Sequence, residues 1–176
     1  VFTGIARGIG GFAYGVGAAG GGGGGSNFGP PQGLVASGGI ISEYEDGASV
    51  YKAHIFTAPG TFTISSTGDY GSTVEYLIVA GGGGAGTGGG GGGGAGGMLT
   101  GTAPITTGNF AVSVGDGGRG SQPGDFLQTN GSPSSVAFPS TITATGGGRG
   151  GNGANAPTPY EGTPGGSGGG HGMNAN

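Results

Sequence analysis

Alternating apolar and polar positions in the middle of the chain predict β-strands. Apolar residues take every second position in two stretches, at Tyr51, Ala53, Ile55, Phe62 and Ile64. A strand with one buried face has this period of two. Ala58-Pro59-Gly60 lies between the stretches, and proline followed by glycine favours a type II turn. The pattern therefore predicts two strands that form a hairpin.

Three further strands follow. Residues 74–80 are apolar on both faces after the first two positions, which indicates a central or doubly covered strand. Residues 110–114 place their large apolar side chains on one face, and residues 135–144 give a weaker strand signal that Pro139 interrupts. No segment has a useful helical apolar period, so the sequence predicts a chain that is essentially free of α-helix.

Long glycine runs follow or separate these strands, at 81–97, 146–153 and 165–170. Polyglycine adopts a left-handed helix with three residues per turn, and such helices pack closely because they lack side chains. We expect an all-β fold: a small antiparallel β-sheet module combined with a bundle of polyglycine II helices. Residues 1–39 are predicted to form a glycine-rich arm or stalk, and residues 40–176 the domain.

Composition excludes several classes of protein. Glycine supplies 55 of 176 residues, but there is no Gly-X-Y period, which excludes collagen. A net charge of −4 with four basic residues excludes a nucleic-acid partner. Cysteine is absent and no apolar run reaches membrane-spanning length. The start has neither an initiator Met nor a signal-peptide pattern, so we expect a fragment or processed product.

Motifs typical of enzymes occur only where glycine makes chance matches common. Residues 115–120 match G-x-G-x-x-G without a following helix, and residues 165–169 match G-x-S-x-G without a preceding strand. Lys52 is the only lysine and does not follow glycine, so a phosphate-binding P-loop is excluded. His54 and His171 have no metal-ligand spacing. We predict no enzyme activity, no cofactor and no metal.

The acidic stretch 43–47 is predicted to be a solvated acidic turn. Its carboxylates are oxygen ligands of the kind that calcium prefers, which leaves a calcium site as the alternative.

Residues on loops between the glycine runs are the candidates for binding. They combine aromatic, planar cationic, amide and carboxylate groups, which suit contacts with glycans or protein loops. The candidates are Arg119, Phe126, Gln128, Arg149, Tyr160 and Glu161. The alternative is that the aromatic residues cover small local cores and the arginines cap backbone carbonyls.

The order of strands and glycine runs resembles a known family. The matching stretches are HIFTAPGTFT (54–63), VEYLIVAGGGG (74–84), VSVGDGG (112–118) and TATGGG (143–148). They resemble the glycine-rich domain of bacteriophage tail-fibre and tail-tip adhesin proteins, over residues 40 to about 170. The resemblance implies a sandwich of polyglycine II helices whose distal loops contact a host receptor, and it carries over no catalytic residues.

We therefore expect a phage tail-fibre or tail-tip protein that presents loops to a receptor on the host cell. Its partners would be a bacterial surface glycan or outer-membrane protein and other fibre subunits in a homo-oligomer, with the protein located in the virion or outside the cell. The alternative is a purely structural subunit of an extracellular filament or virion stalk that assembles through glycine-rich surfaces. An antifreeze-like bundle would need flat threonine-rich faces, whereas the threonines here lie mostly in strands and loops.

Overall fold

The fold is all-β in the part of the chain that the structure describes. A computed structural model describes residues 2–8, 32–46, 49–69, 71–153 and 161–173. These residues form ten strands and no helix. The strands are β1 (Phe2–Gly8), β2 (Val35–Ser37), β3 (Ile40–Asp46), β4 (Ser49–Phe56), β5 (Gly60–Ser66), β6 (Thr73–Val79), β7 (Met98–Pro104), β8 (Gly108–Ser113), β9 (Ser134–Ala137) and β10 (Thr141–Ala144).

The strands form two five-stranded sheets. Sheet A has the order β3-β4-β1-β6-β7, and sheet B has the order β10-β9-β8-β5-β2. Neighbouring strands pair antiparallel throughout, for example β6 with β7 in sheet A and β5 with β8 in sheet B. The expected all-β class with antiparallel sheets is therefore confirmed.

The core lies between the two sheets. Phe62, Ile78 and Val136 are fully buried, and they come from β5, β6 and β9. Phe138 contacts Phe62 and Phe110 edge to face, with ring centroids 6.3 and 5.4 Å apart. Each such side chain stabilises the fold by about 1.5–3 kcal/mol when it leaves water. The sheets are therefore held together by a compact aromatic and aliphatic core.

Several predicted strands are present. The stretch 74–80 matches β6 to within one residue at each end, and β6 has neighbours on both sides in sheet A. Strand β8 buries Phe110 and Val112 on one face, as its alternation predicts. The weak stretch 135–144 splits at Pro139 into β9 and β10, which pair with each other.

The predicted hairpin across Ala58-Pro59-Gly60 is wrong. Strand β4 belongs to sheet A and β5 to sheet B, so the turn carries the chain from one sheet to the other. Phe56 and Phe62, one in each strand, both enter the core. Placing the strands in opposite sheets buries both side chains between the sheets. The alternation identified the strands but not their partners.

Within the predicted domain, β3 and β7 lie where the pattern predicted no strand. The stretch 43–46 was expected in an acidic turn, but it belongs to β3 at the end of sheet A, and this expectation is wrong. Glu43 forms an ion pair with Lys52 of β4 at 2.9 Å. Strand β7 was hidden because its residues are almost all exposed.

The N-terminal arm predicted at 1–39 contributes two strands. Strand β1 lies between β4 and β6 in sheet A, and β2 pairs with β5 at the end of sheet B. Residues 9–31 lie outside the described residues, so the arm as a whole and its boundary at residue 39 stay predictions.

Beyond the strands, extended segments, most of them rich in glycine, lie side by side. We number them in chain order as the first (80–87), second (90–97), third (116–121), fourth (129–132), fifth (145–153) and sixth (163–173) glycine segments. The second segment continues directly into β7, and the first follows directly from β6. The segments therefore extend from the strands without an intervening polar turn.

Backbone hydrogen bonds join these segments at every third residue. The N–H groups of Ala80, Gly83 and Gly86 donate to the carbonyls of Gly97, Gly94 and Gly91, at 2.8–3.0 Å. Those of Gly147, Gly150 and Gly153 donate to the carbonyls of Gly81, Gly84 and Thr87, at 2.9 Å. The first segment is thus antiparallel to the second and parallel to the fifth. Backbone groups, rather than side chains, hold this part of the fold together.

Glycine is required where the segments touch. A Cβ on Gly83 would lie 2.1 Å from the carbonyl oxygen of Gly148, and one on Gly147 would lie 2.1 Å from that of Gly94. Gly92 is different, because a Cβ there would have nothing within 4 Å. Glycine therefore permits the close approach at inner positions, while some outer positions have room for a side chain.

Candidate binding surface

The loop 122–128 joins the third glycine segment to the fourth, and the Asp125 carboxylate organises it. Asp125 Oδ1 accepts the backbone N–H groups of Gln122 at 2.9 Å and Leu127 at 3.3 Å. The N–H of Asp125 in turn donates to the carbonyl of Gln122 at 3.1 Å. One side chain therefore closes the turn on both sides.

The predicted candidate Arg119 is tied to this loop. Its Nη2 donates to Asp125 Oδ2 in an ion pair, and its side chain remains about half exposed. The backbone N–H of Arg119 donates to the Thr129 hydroxyl, and its carbonyl accepts the N–H of Thr129, both at 2.9 Å. Arg119 thus connects the third segment, the loop and the fourth segment.

These contacts lower the pKa of Asp125. The largest cause is the hydrogen bond from the Gln122 N–H, which stabilises the carboxylate. Partial desolvation opposes the shift, while the Leu127 N–H and the Arg119 guanidinium strengthen it. The Asp125 carboxylate therefore stays charged to a lower pH than an ordinary aspartate.

Phe126, the second candidate, adopts a left-handed backbone conformation with φ of 47°. This region costs a residue other than glycine about 1–2 kcal/mol. The Phe126 side chain is half-buried, and its neighbour Leu127 is 58% exposed. The loop therefore presents an apolar side chain at its tip, next to the Arg119–Asp125 ion pair.

Gln128, the third candidate, is buried rather than exposed. Its Oε1 accepts the Ser121 hydroxyl at 2.6 Å, and its Nε2 donates to the carbonyl of Gly150 at 3.1 Å. Ser121 Oγ also lies 3.2 Å from Oδ1 of the fully buried Asn152. These contacts make Gln128 an internal support that fixes the loop to the fifth segment.

The backbone of Arg149, the fourth candidate, is held by two side chains. Its N–H is shared between Asn130 Oδ1 at 2.9 Å and Thr163 Oγ1 at 3.0 Å. The Thr163 hydroxyl also donates to Asn130 Oδ1, and the N–H of Thr163 donates to the Arg149 carbonyl. The Arg149 side chain is half-buried.

The fourth glycine segment lies between the two arginines. Thr129 contacts Arg119 on one side, and Asn130 contacts Arg149 on the other. Glu161 is exposed two residues before Thr163, whereas Tyr160 lies outside the described residues. The structure thus brings Arg119 and Arg149 to the flanks of one segment, and a role of any candidate in binding stays a prediction.

Sequence reasoning missed the residues that support this surface. Five small polar side chains bond to backbone groups or to one another. They are those of Asp125, Ser121, Asn130, Asn152 and Thr163. The sequence did contain a signal for this role. Each of these residues is small and polar and lies in glycine-rich sequence, where few other side chains can bond to a backbone group.

The histidines and the surface depressions do not form a second site with these residues. His54, in β4 of sheet A, is fully buried against Phe62 of sheet B, and His171 is exposed. Over the described ranges, no three His, Asp or Glu side chains group closely enough to hold a metal ion. Shallow depressions of about 360 and 240 Å³ lie on the sheets, and neither contains a candidate residue.

The described residues include no helix that could cross a membrane.

A family model described as "Glycine-rich domain" matches residues 57–176, which is more than half of the chain. The chain belongs to this glycine-rich domain family. The match covers every strand from β5 to β10 and all six glycine segments. No curated protein and no solved structure matched the chain. The family match thus includes the whole candidate binding surface.

Proposed function

We propose that the glycine segments pack as a bundle of polyglycine II helices that serves as a rigid scaffold. The three-residue recurrence of their hydrogen bonds supports this packing, because polyproline II-like helices have three residues per turn. Each segment also bonds to neighbours in more than one direction. The first segment, for example, bonds to the second, third, fourth and fifth.

The scaffold's function, in this proposal, is to present loops for attachment to a bacterial surface, as part of a phage tail fibre or tail tip. The observation that carries the proposal is the loop 122–128, which projects Leu127 while Asp125 and Gln128 hold its backbone. A loop that is ordered before binding loses little conformational entropy when it meets a receptor. Arg119, Arg149 and Glu161 add charged groups at the flanks.

The proposed receptor is a surface glycan or an outer-membrane protein, and the proposed location is the virion or another extracellular structure. Several copies on one fibre would convert weak single contacts into useful avidity. The proposal includes no catalytic step, since binding alone accounts for a rigid loop on a glycine scaffold.

A second proposal is a structural subunit of an extracellular filament or virion stalk. One observation favours it: no charged residue occurs between Glu75 and Asp116, although this stretch includes the exposed strand β7 and exposed positions of the second glycine segment. Interface cores are depleted of charged residues in the same way.

Cell binding tests the first proposal. Labelled protein would be incubated with a panel of bacteria and counted by flow cytometry, with competition by isolated polysaccharide or outer-membrane protein. We expect Leu127→Asp together with Arg149→Ala to weaken binding at least about tenfold. Lys52→Ala is the matched control, since Lys52 is an exposed base on β4 of sheet A and belongs neither to the loop nor to a glycine segment.

Binding to no strain in the panel, or an equal loss with Lys52→Ala, would count against attachment. Electron microscopy separates the two proposals, because a structural subunit should form continuous polymers and an attachment protein discrete fibres that end on cells.

A further inference from the structure

Strand β1 fills a gap in the middle of sheet A. It pairs antiparallel with β4 along its whole length and antiparallel with β6 over residues 2–5. Strands β4 and β6 therefore run parallel to each other and lie one strand apart, at about 9–10 Å. We call the space between them, which β1 occupies, the β1 slot.

The walls of the β1 slot belong to the core. Phe2 of β1 stands opposite Phe56 of β4 and Ile78 of β6, and both of these wall side chains are buried. Gly4 stands opposite His54, which is fully buried. An empty slot would leave N–H and C=O groups of both walls without partners next to this core, and such strand edges are templates for another strand. Sheet A therefore requires a strand in this position.

The register of β1 is the same whether the strand comes from its own copy or from another copy. Residues 9–31, which lie outside the described residues, separate β1 from β2 at the end of sheet B. Twenty-three residues extend to at most about 75–80 Å, which is long enough to reach an adjacent copy. Each copy has one β1 and one slot, so an exchange of strands keeps every strand pair.

Exposed apolar side chains are concentrated in sheet A, the sheet that β1 completes. Eight large apolar side chains are exposed among the described residues, and five of them lie in β3 or β7. An exposed apolar surface of this kind is typical of contacts between proteins. A strand shared between two copies holds this sheet close to a second surface, which a strand kept within one copy does not. The five residues are Ile40, Ile41, Tyr44, Met98 and Leu99.

The family match divides sheet A at the β1 slot. The match begins at residue 57, so β6 and β7 lie inside it, whereas β1, β3 and β4 lie outside it. One wall of the slot thus belongs to the matched domain and the other does not. The matched domain presents the edge of β6 to a strand from outside its own range, and addition of a strand to such an edge is a recurring mode of recognition.

We propose that β1 is exchanged between copies of this chain, so that β1 of one copy occupies the β1 slot of a second copy. The donor is a second copy rather than an unrelated protein, because the slot already accepts the β1 sequence in a defined register on both walls. The inference rests on the topology of sheet A and not on host attachment. Its failure would leave the cell-binding test unaffected.

Disulfide cross-linking between copies tests the exchange, and the chain has no cysteine of its own. Thr3 of β1 stands opposite Leu77 of β6. Paired Cα atoms of antiparallel strands lie about 4.5–5.5 Å apart, within the range of about 4.4–6.8 Å that a disulfide spans. Thr3→Cys and Leu77→Cys would be made as separate single variants with different affinity tags and then co-expressed. Under mild oxidation they should form a covalent dimer that carries both tags.

Thr73→Cys, used in place of Leu77→Cys, is the matched control. Thr73 also lies on β6, but it is four residues from Leu77, which places it about 13 Å further along the strand. We expect at least about tenfold less covalent dimer with this variant, because its distance from Thr3 exceeds the reach of a disulfide. Equal amounts of dimer with Thr73→Cys and Leu77→Cys would contradict the register and overturn the proposal.

A single chain that carries both Thr3→Cys and Leu77→Cys identifies a strand that stays in its own copy. An internal disulfide in this chain, without a covalent dimer from the co-expressed single variants, would show that β1 is not exchanged. Absence of a disulfide in both experiments would show that β1 does not occupy the slot. Either result would overturn the proposal.

Competition by a peptide provides a readout on the unmodified protein. A peptide of residues 1–8, VFTGIARG, added in excess should lower the average mass measured by light scattering, because it occupies the slot without linking copies. The same peptide with Ile5→Pro should not, since proline cannot donate to the ladder and does not fit a central strand. A protein that stays monomeric at every concentration, or equal effects of the two peptides, would count against strand exchange.

Discussion

The position of a side chain on Gly83 is already occupied by the carbonyl oxygen of Gly148, which lies 2.1 Å from where a Cβ would be. Gly83 also donates its own N–H to the carbonyl of Gly94 at 2.8 Å. Gly83 therefore cannot move away from Gly148 without stretching a hydrogen bond to the second segment. The spacing of the segments is set by backbone contact from both sides.

Gly83→Ala should therefore destabilise the protein. Adding a methyl group to a closely packed site costs about 1–3 kcal/mol, and here the neighbour is backbone that cannot rotate away. Gly92→Ala is the matched control, because its Cβ enters open space and alanine restricts the unfolded chain, which stabilises by about 0.4–1 kcal/mol. Thermal unfolding followed by circular dichroism measures both variants. Equal melting temperatures for the two alanine variants would contradict the close packing of the glycine segments.

The loop 122–128 should open at acid pH. The pKa of Asp125 is lowered in the folded state, so its carboxylate contributes stability that is complete above the unfolded value of 3.8. This contribution is lost as the pH falls through the lower folded pKa. Exchange of the Leu127 amide should accelerate in that range, and Asp125→Asn should remove this pH dependence. Asp116→Asn is the control, as Asp116 lies outside the loop, and an identical effect of both variants would exclude the assignment to Asp125.

Ser121 and Gln128 should be energetically coupled. The Ser121 hydroxyl donates to Gln128 Oε1 at 2.6 Å, and Gln128 is buried. Ser121→Ala and Gln128→Met should each cost about 1–3 kcal/mol, because each leaves a buried polar group without its partner. A double-mutant cycle in urea should give a coupling energy of at least about 0.5 kcal/mol. Strict additivity would mean that the two side chains support the loop independently.

The sequence predicted strands better than it predicted their partners. The two-residue period at Phe110 and Val112 depends only on which face is buried, and β8 has the expected burial. Pairing depends on the whole core, which is why the turn at Pro59 joins two sheets instead of a hairpin. Strand β7 gave no signal, because six of its seven residues are exposed and its neighbour β6 determines its position.

The sequence named residues of the candidate surface but did not show how they are placed, and their role in binding stays a prediction. Arg119 and Arg149 were singled out as planar cations on loops, but the structure places them within the third and fifth glycine segments, on either side of the fourth. The burial of Gln128 could not be read from the sequence, because its environment comes from Ser121 and Gly150, which lie on two other glycine segments. A glycine run has no apolar period, so the sequence does not show which residues next to the run are buried.

The imidazole of His54 should be held as the Nδ1–H tautomer. Its Nδ1 lies 2.8 Å from the carbonyl oxygen of Gly38, and since a carbonyl can only accept, Nδ1 must donate. Nε2 is buried without a hydrogen-bond partner and lies in the core, where the ring contacts Phe62 edge to face at 5.0 Å. Nitrogen chemical shifts of labelled histidine would identify the protonated nitrogen, with exposed His171 as the internal reference.

His54→Phe separates the two effects of this residue on stability. The substitution removes the orphaned Nε2 but leaves the Gly38 carbonyl without its donor, at a cost of about 1–3 kcal/mol. Gly38 itself has φ of 109°, and a Cβ there would lie 2.1 Å from the Thr61 carbonyl oxygen, so the backbone cannot shift to find another donor. We therefore expect net destabilisation in urea unfolding. A stabilised His54→Phe variant would mean that the buried Nε2 costs more than the hydrogen bond to Gly38 contributes.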